Sequence, residues 1–106
     1  MDTARIVVLS WPGCGSHDDA LALVADALAE LGRPDEPVVV RWIETPEDAE
    51  AARFVGSPTI RVDDVDIVPP QAERYGLTCR VYPDAEGRLA PLPPRDTVLE
   101  RLRELL

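Results

Sequence analysis

The chain contains no lysine and a single histidine, and its eleven basic residues are all arginine, set against twenty acidic ones. A formal net charge of −9 repels phosphate backbones and anionic lipid headgroups alike, which excludes nucleic acid and membrane surfaces as expected partners. Near the N-terminus long apolar runs are missing too. Asp2 and Arg5 precede an apolar stretch of only four residues, far short of a signal-peptide core or a membrane span, so a cytoplasmic location is expected. Cysteine is scarce. Cys14 and Cys79, separated by sixty-four residues, match neither a zinc-finger spacing nor a dense disulfide framework, and no metal site is expected. In a reducing compartment such cysteines are either buried fillers or reactive thiols. Aromatic residues are few at 5%, and the two tryptophans suggest no cofactor. Trp11 is expected to pack over the loop that follows the first strand, and Trp42, at the end of an apolar strand, is expected in the core.

What is present reads as one α/β domain over residues 1–106, a length that buries a single core. Residues 4–10 (ARIVVLS) form an unbroken β-branched run, the pattern of an interior strand covered on both faces. After Trp11-Pro12-Gly13-Cys14-Gly15, apolar residues recur at Leu21, Val24, Leu28 and Leu31, and Gly32 and Pro34 end the pattern, predicting an amphipathic helix of about four turns. Residues 37–43 (PVVVRWI) form a second strand. Thr45-Pro46-Glu47-Asp48 then opens a shorter helix to about Arg53, with threonine as cap and proline in the first turn. Gly56-Ser57-Pro58 breaks the chain before a third strand at 59–62, and Asp63-Asp64 predicts a hairpin into an antiparallel strand at 65–68. Residues 69–94 are poorly patterned, with a short strand expected around Cys79-Arg80-Val81-Tyr82 and extended loop elsewhere. Asp96 is expected to cap a closing helix with Val98, Leu99, Leu102 and Leu105 on one face. The sum is a four-stranded mixed sheet with helices on both faces.

This order resembles the thioredoxin fold, and two local sequences carry the likeness: Trp11-Pro12-Gly13-Cys14-Gly15-Ser16-His17 after the first strand and Val55-Gly56-Ser57-Pro58-Thr59 before the third. The chain is most similar to small bacterial thioredoxin- and glutaredoxin-like proteins, with a C-x-x-H where that family carries C-x-x-C. The resemblance implies that Cys14 is the family's first cysteine, that His17 replaces the second, and that Pro58 is a cis-proline. It further implies that Trp11, Ser57, Pro58 and Thr59 shape a substrate groove and that the protein is a thiol-disulfide oxidoreductase. Partners would be protein or small-molecule thiols and disulfides, with no cofactor beyond glutathione as co-substrate.

A thiolate is the nucleophilic form of cysteine, and the free amides and positive dipole end of a helix start lower a thiol pKa below its free value of about 8.5. Cys14 is expected to be solvent-accessible and activated in this way, with Ser16 and Asp19 forming a capping box and Asp18 and Asp19 opposing the thiolate by repulsion. His17 has three readings: a proton donor and acceptor for Cys14, a metal ligand, or an ordinary polar residue of the first turn. Cys79 has two, a small buried filler or a distant resolving thiol that substitutes for the missing motif cysteine. The functional alternative is a non-catalytic binding module whose groove holds a partner peptide or a soft metal ion.

Overall fold

The computed structural model describes residues 4–70 and 74–106. Its elements run β1 (Ile6–Ser10), α1 (His17–Glu30), β2 (Val38–Trp42), α2 (Pro46–Ala51), β3 (Thr59–Val62), β4 (Val65–Asp66), β5 (Tyr82–Pro83), β6 (Leu89–Ala90) and α3 (Arg95–Leu105). The four-stranded sheet has the order β2-β1-β3-β4. β1 is parallel to β2 and antiparallel to β3, and β3 is antiparallel to β4. The β-branched run thus lies between two neighbours, as its unbroken apolar pattern predicts.

Alternation along β1 separates two cores. Ile6 and Val8 face one side, where Val24 and Leu28 of α1, Val98 and Leu102 of α3, and Ile60 and Val62 of β3 close over them. Leu9 faces the other, against Ile43, Ala49, Ala52 and Phe54. α2 contributes only six residues to that second side, so it leaves part of the sheet uncovered beside Val7, Val39, Arg41 and Arg61.

Local chemistry explains most element ends. Thr45 Oγ1 accepts the Asp48 amide at 3.1 Å, with Pro46 in the first turn of α2, the arrangement the sequence predicts. Asp63 and Asp64 both take positive φ, 51° and 66°, as a two-residue hairpin turn requires. α1 differs: Ser16 makes no side-chain cap bond, because its backbone (φ −94°, ψ 5°) is not the extended conformation that aims a capping oxygen at the first-turn amides. At α3 the residue before the helix is Pro94, and Asp96 lies within the first turn, where its charge still favours the positive helix end.

Three further expectations change. α2 ends at Ala51 and β4 at Asp66, each short of the predicted boundary. The short strand expected around residues 79–82 begins only at Tyr82, and Tyr82–Pro83 pairs with Leu89–Ala90, a partner strand not expected, as a second small sheet. Trp42 is 47% exposed rather than core, because β2 is an edge strand and Trp42 stands at its end. Among the described residues no helix is long and apolar enough to cross a membrane.

Candidate functional site

Cys14 sits in a turn closed by its own amide, which donates to the Trp11 carbonyl at 3.0 Å. The Trp11 ring lies against Gly13, so closely that a Cβ there would meet it at 2.4 Å; only glycine lets the tryptophan cover this loop. The Trp11 amide donates to Ser57 Oγ at 3.0 Å, and the Cys14 thiol donates to the Ser57 carbonyl at 3.5 Å. Two segments far apart in sequence are thereby joined. The Ser57–Pro58 peptide bond is cis, and Ser57, Pro58 and Thr59 are all buried.

Ser57 is also the anchor for Cys79. Its amide donates to the Thr78 carbonyl and its carbonyl accepts the Arg80 amide, both at 2.8 Å, which makes a parallel bridge between Ser57 and Cys79. Residues 78–80 therefore occupy the strand-pairing groups of Ser57, and Ser57, Pro58 and Thr59 do not line an open groove. Gly56 permits this approach: its φ is +141°, and a Cβ would lie 2.9 Å from Arg80 Cβ.

Arg80 fixes the segment from beneath. The residue is only 8% exposed. Its guanidinium pairs with Asp66 at 2.8 Å and donates to the Val68 carbonyl at 2.5 Å and to Thr59 Oγ1 at 3.3 Å. It also lies 4.6 Å from the centre of the Tyr82 ring, while Tyr82 Oη donates to the Pro58 carbonyl at 2.5 Å. Burial pushes the Tyr82 phenol above its ordinary value, keeping it a neutral donor.

Both cysteines are tied to Ser57, and they are not equivalent. Cys14 is buried at 6% exposure, whereas Cys79 is exposed. Burial pushes the Cys14 thiol up, but hydrogen bonding from Cys79 and from the backbone and side chain of Ser16, with Ser57 assisting, outweighs it and holds Cys14 below the ordinary thiol value. Cys79 moves the other way: donating to Cys14 raises it first, and desolvation and the negative charge of Cys14 add to the rise. The direction expected for Cys14 holds, but its accessibility and cause do not. Cys14 is buried, and the controlling donors are Cys79, Ser16 and Ser57 rather than His17.

His17 faces elsewhere. Its Nδ1 is 2.8 Å from Ser10 Oγ, and its ring rests on Trp42 with centroids 4.4 Å apart. Cys14, His17, Asp18 and Trp42 together wall a shallow depression at the start of α1. Among the described residues no group of three or more His, Cys, Asp or Glu is arranged to hold a metal ion.

Sequence reasoning singled out Cys14 and Cys79 but missed Arg80, Asp66 and Tyr82, which fix the Cys79 segment against the sheet. The one available signal was Arg80 and Tyr82 at alternate positions in a β-prone stretch, reading as same-face partners.

Fold and site define a compact α/β domain, a four-stranded mixed sheet with helices, that carries two free cysteines anchored to Ser57. Compared with known protein families, with curated proteins and with solved structures, the chain matches none.

Proposed function

We propose that this chain is a thiol-disulfide redox protein of thioredoxin-like architecture, in which Cys14 is the nucleophile and Cys79 resolves the intermediate. One observation carries the reading: Ser57 accepts the Cys14 thiol at its carbonyl and is strand-paired to Cys79, so both cysteines are anchored to one residue. The order β1-α1-β2-α2-β3-β4, with the small β5–β6 sheet before α3, and the joining of the cysteine turn to Ser57 support the architecture. Two free thiols accord with a reducing compartment such as the cytoplasm.

In the forward step the Cys14 thiolate attacks one sulfur of a substrate disulfide. A mixed disulfide forms, and the second substrate sulfur leaves as a thiolate that takes up a proton. Cys79 then loses its proton and attacks the Cys14 sulfur, expelling the first substrate sulfur as the second thiol. The substrate gains two electrons, and the protein is left with a Cys14–Cys79 disulfide. Two equivalents of an external thiol such as glutathione restore the dithiol. The lowered Cys14 and raised Cys79 suit these roles, since attack requires a thiolate at Cys14 while Cys79 keeps its proton until the second step.

Mild oxidation of the purified protein tests this directly. Mass spectrometry should find the loss of two hydrogens and a Cys14–Cys79 crosslinked peptide, absent when either residue is replaced by serine. Intermolecular dimers in place of the internal bond, or no turnover of a model disulfide with glutathione, would overturn the reading.

A further inference from the structure

The arginines of this acidic protein are unevenly partnered. Arg5, Arg33, Arg80, Arg88, Arg95 and Arg101 are in ion pairs with carboxylates. Arg41, Arg53, Arg61, Arg74 and Arg103 are not, among the described residues. Four of these five unpaired guanidiniums collect on one concave surface, although the chain carries twenty acidic side chains. Arg41, Arg53 and Arg61 line a cavity between the end of α2 and the sheet. Arg74 lines a second cavity together with Cys79. Val55 and Pro70 belong to both, so the two adjoin.

Sheet register places the cluster. Arg41 is opposite Leu9, and Arg61 is opposite Val7, so both stand on the face that α2 leaves partly uncovered, with Cα atoms roughly 12 Å apart across β1. Arg61 is held by the carbonyls of Ala52 and Arg53 at 2.8 and 2.9 Å. Arg41, Arg53 and Arg74 are exposed. Among the described residues two carboxylates line the same surface, and one of them, Asp66, is already taken by Arg80. Among those residues that leaves Asp64 against four guanidiniums. Burial holds the Arg61 guanidinium below its ordinary value and repulsion from Arg41 and Arg80 adds to this, against attraction to Asp66 and Asp64; a ligand carboxylate would relieve the crowding.

We propose that this groove, from Cys79 past Val55 and Pro70 to Arg41, Arg53 and Arg61, binds an extended acidic peptide segment. Guanidiniums spread along a partly apolar floor match carboxylates spaced along a chain better than one compact phosphate. The local positive field on a molecule of net charge −9 selects for charge placement and not for charge alone. As a statement about which disulfides reach Cys79 and Cys14, the proposal rests on the thiol-disulfide reading above. As a binding site it does not, and the test keeps the two apart.

The probe is a blocked, cysteine-free peptide of alternating glutamate and valine, titrated into the reduced protein and followed by heteronuclear NMR, with the glutamine-valine counterpart as reference. The glutamate peptide should bind more tightly than the glutamine one, shift resonances of the groove, and weaken as salt is raised. Arg41→Gln, Arg53→Gln and Arg74→Gln together should weaken binding about tenfold, each exposed pair contributing a few-fold, while Arg103→Gln on α3 leaves it unchanged. Repeating the titration on Cys14→Ser protein separates the readings, since binding there must survive whatever becomes of the redox chemistry. Equal affinity for both peptides, or for the triple variant, overturns the site. Inorganic phosphate competing as effectively as the peptide replaces the proposal with a small-anion site, and self-association through the groove replaces it with a second copy of the chain.

Discussion

Replacing Arg80 by methionine keeps the aliphatic stem but removes the cation that ties segment 78–80 to the sheet. Asp66, whose side chain is only 12% exposed, is left without its ion pair, and the Val68 carbonyl and Thr59 hydroxyl lose a donor. Removing one partner of a buried pair costs about 3–5 kcal/mol, a large share of the roughly 5–15 kcal/mol that holds a domain folded. At about 4–8 °C per kcal/mol for a domain of this size, the melting temperature should fall by more than about 10 °C. Adding Asp66→Leu should recover much of the loss, because the pair is then replaced rather than broken. A second readout concerns the site itself. Well below the variant's melting temperature, equilibration in glutathione buffers should give a less stable Cys14–Cys79 disulfide, since Cys79 is no longer pinned through the Ser57 bridge. A loss below about 1 kcal/mol, with an unchanged disulfide equilibrium, would refute Arg80 as the latch.

The thiolate absorbance of the reduced protein should rise in two steps, Cys14 below the ordinary thiol value and Cys79 above it. Cys79→Ala should move the Cys14 step upward by removing its chief donor, whereas His17→Ala should leave it in place; the reverse ranking contradicts the hydrogen bonds described. Gly56→Ala should destabilise the fold by about 1–3 kcal/mol in urea denaturation, because the new methyl meets Arg80 at a φ of +141°. An alanine variant of unchanged stability would mean that segment 78–80 does not lie against Gly56.

How far the fold is legible follows from how local its determinants are. β1 and β2 announce themselves through β-branched runs, α1 through its 3.6-residue period, α2 through Thr45-Pro46, and the β3–β4 turn through Asp63-Asp64, each decided by a few neighbouring residues. The β5–β6 hairpin is illegible because its strands are two residues long, too short for any period to register. Trp42 reads as core because its strand is apolar, but edge placement is a property of the sheet order and not of the strand. Cys14 reads as exposed because its loop is glycine-rich, but the fold buries it and joins it to Ser57. The candidate nucleophile and its neighbour Ser16 are thus visible locally, while Ser57 and Cys79 are supplied by distant segments.

That distance has an energetic meaning. A Cys14–Cys79 bond would close a loop of sixty-odd residues, for which the chain-entropy model assigns about 4 kcal/mol to the unfolded state. In an unfolded chain the two sulfurs meet rarely, and the disulfide gains little over glutathione. In the folded chain that cost of closure has already been met by contacts that do not involve sulfur: the Ser57 bridge, the Arg80–Asp66 pair and the Tyr82 bond to Pro58. Because the cycle is closed, whatever these contacts add to the stability of the disulfide, the disulfide returns to the stability of the fold. Substitutions at Arg80 and Gly56 should therefore shift folding and redox equilibria together, whereas a change at His17, which stands on Ser10 and Trp42 outside this cycle, should leave the redox equilibrium where it was.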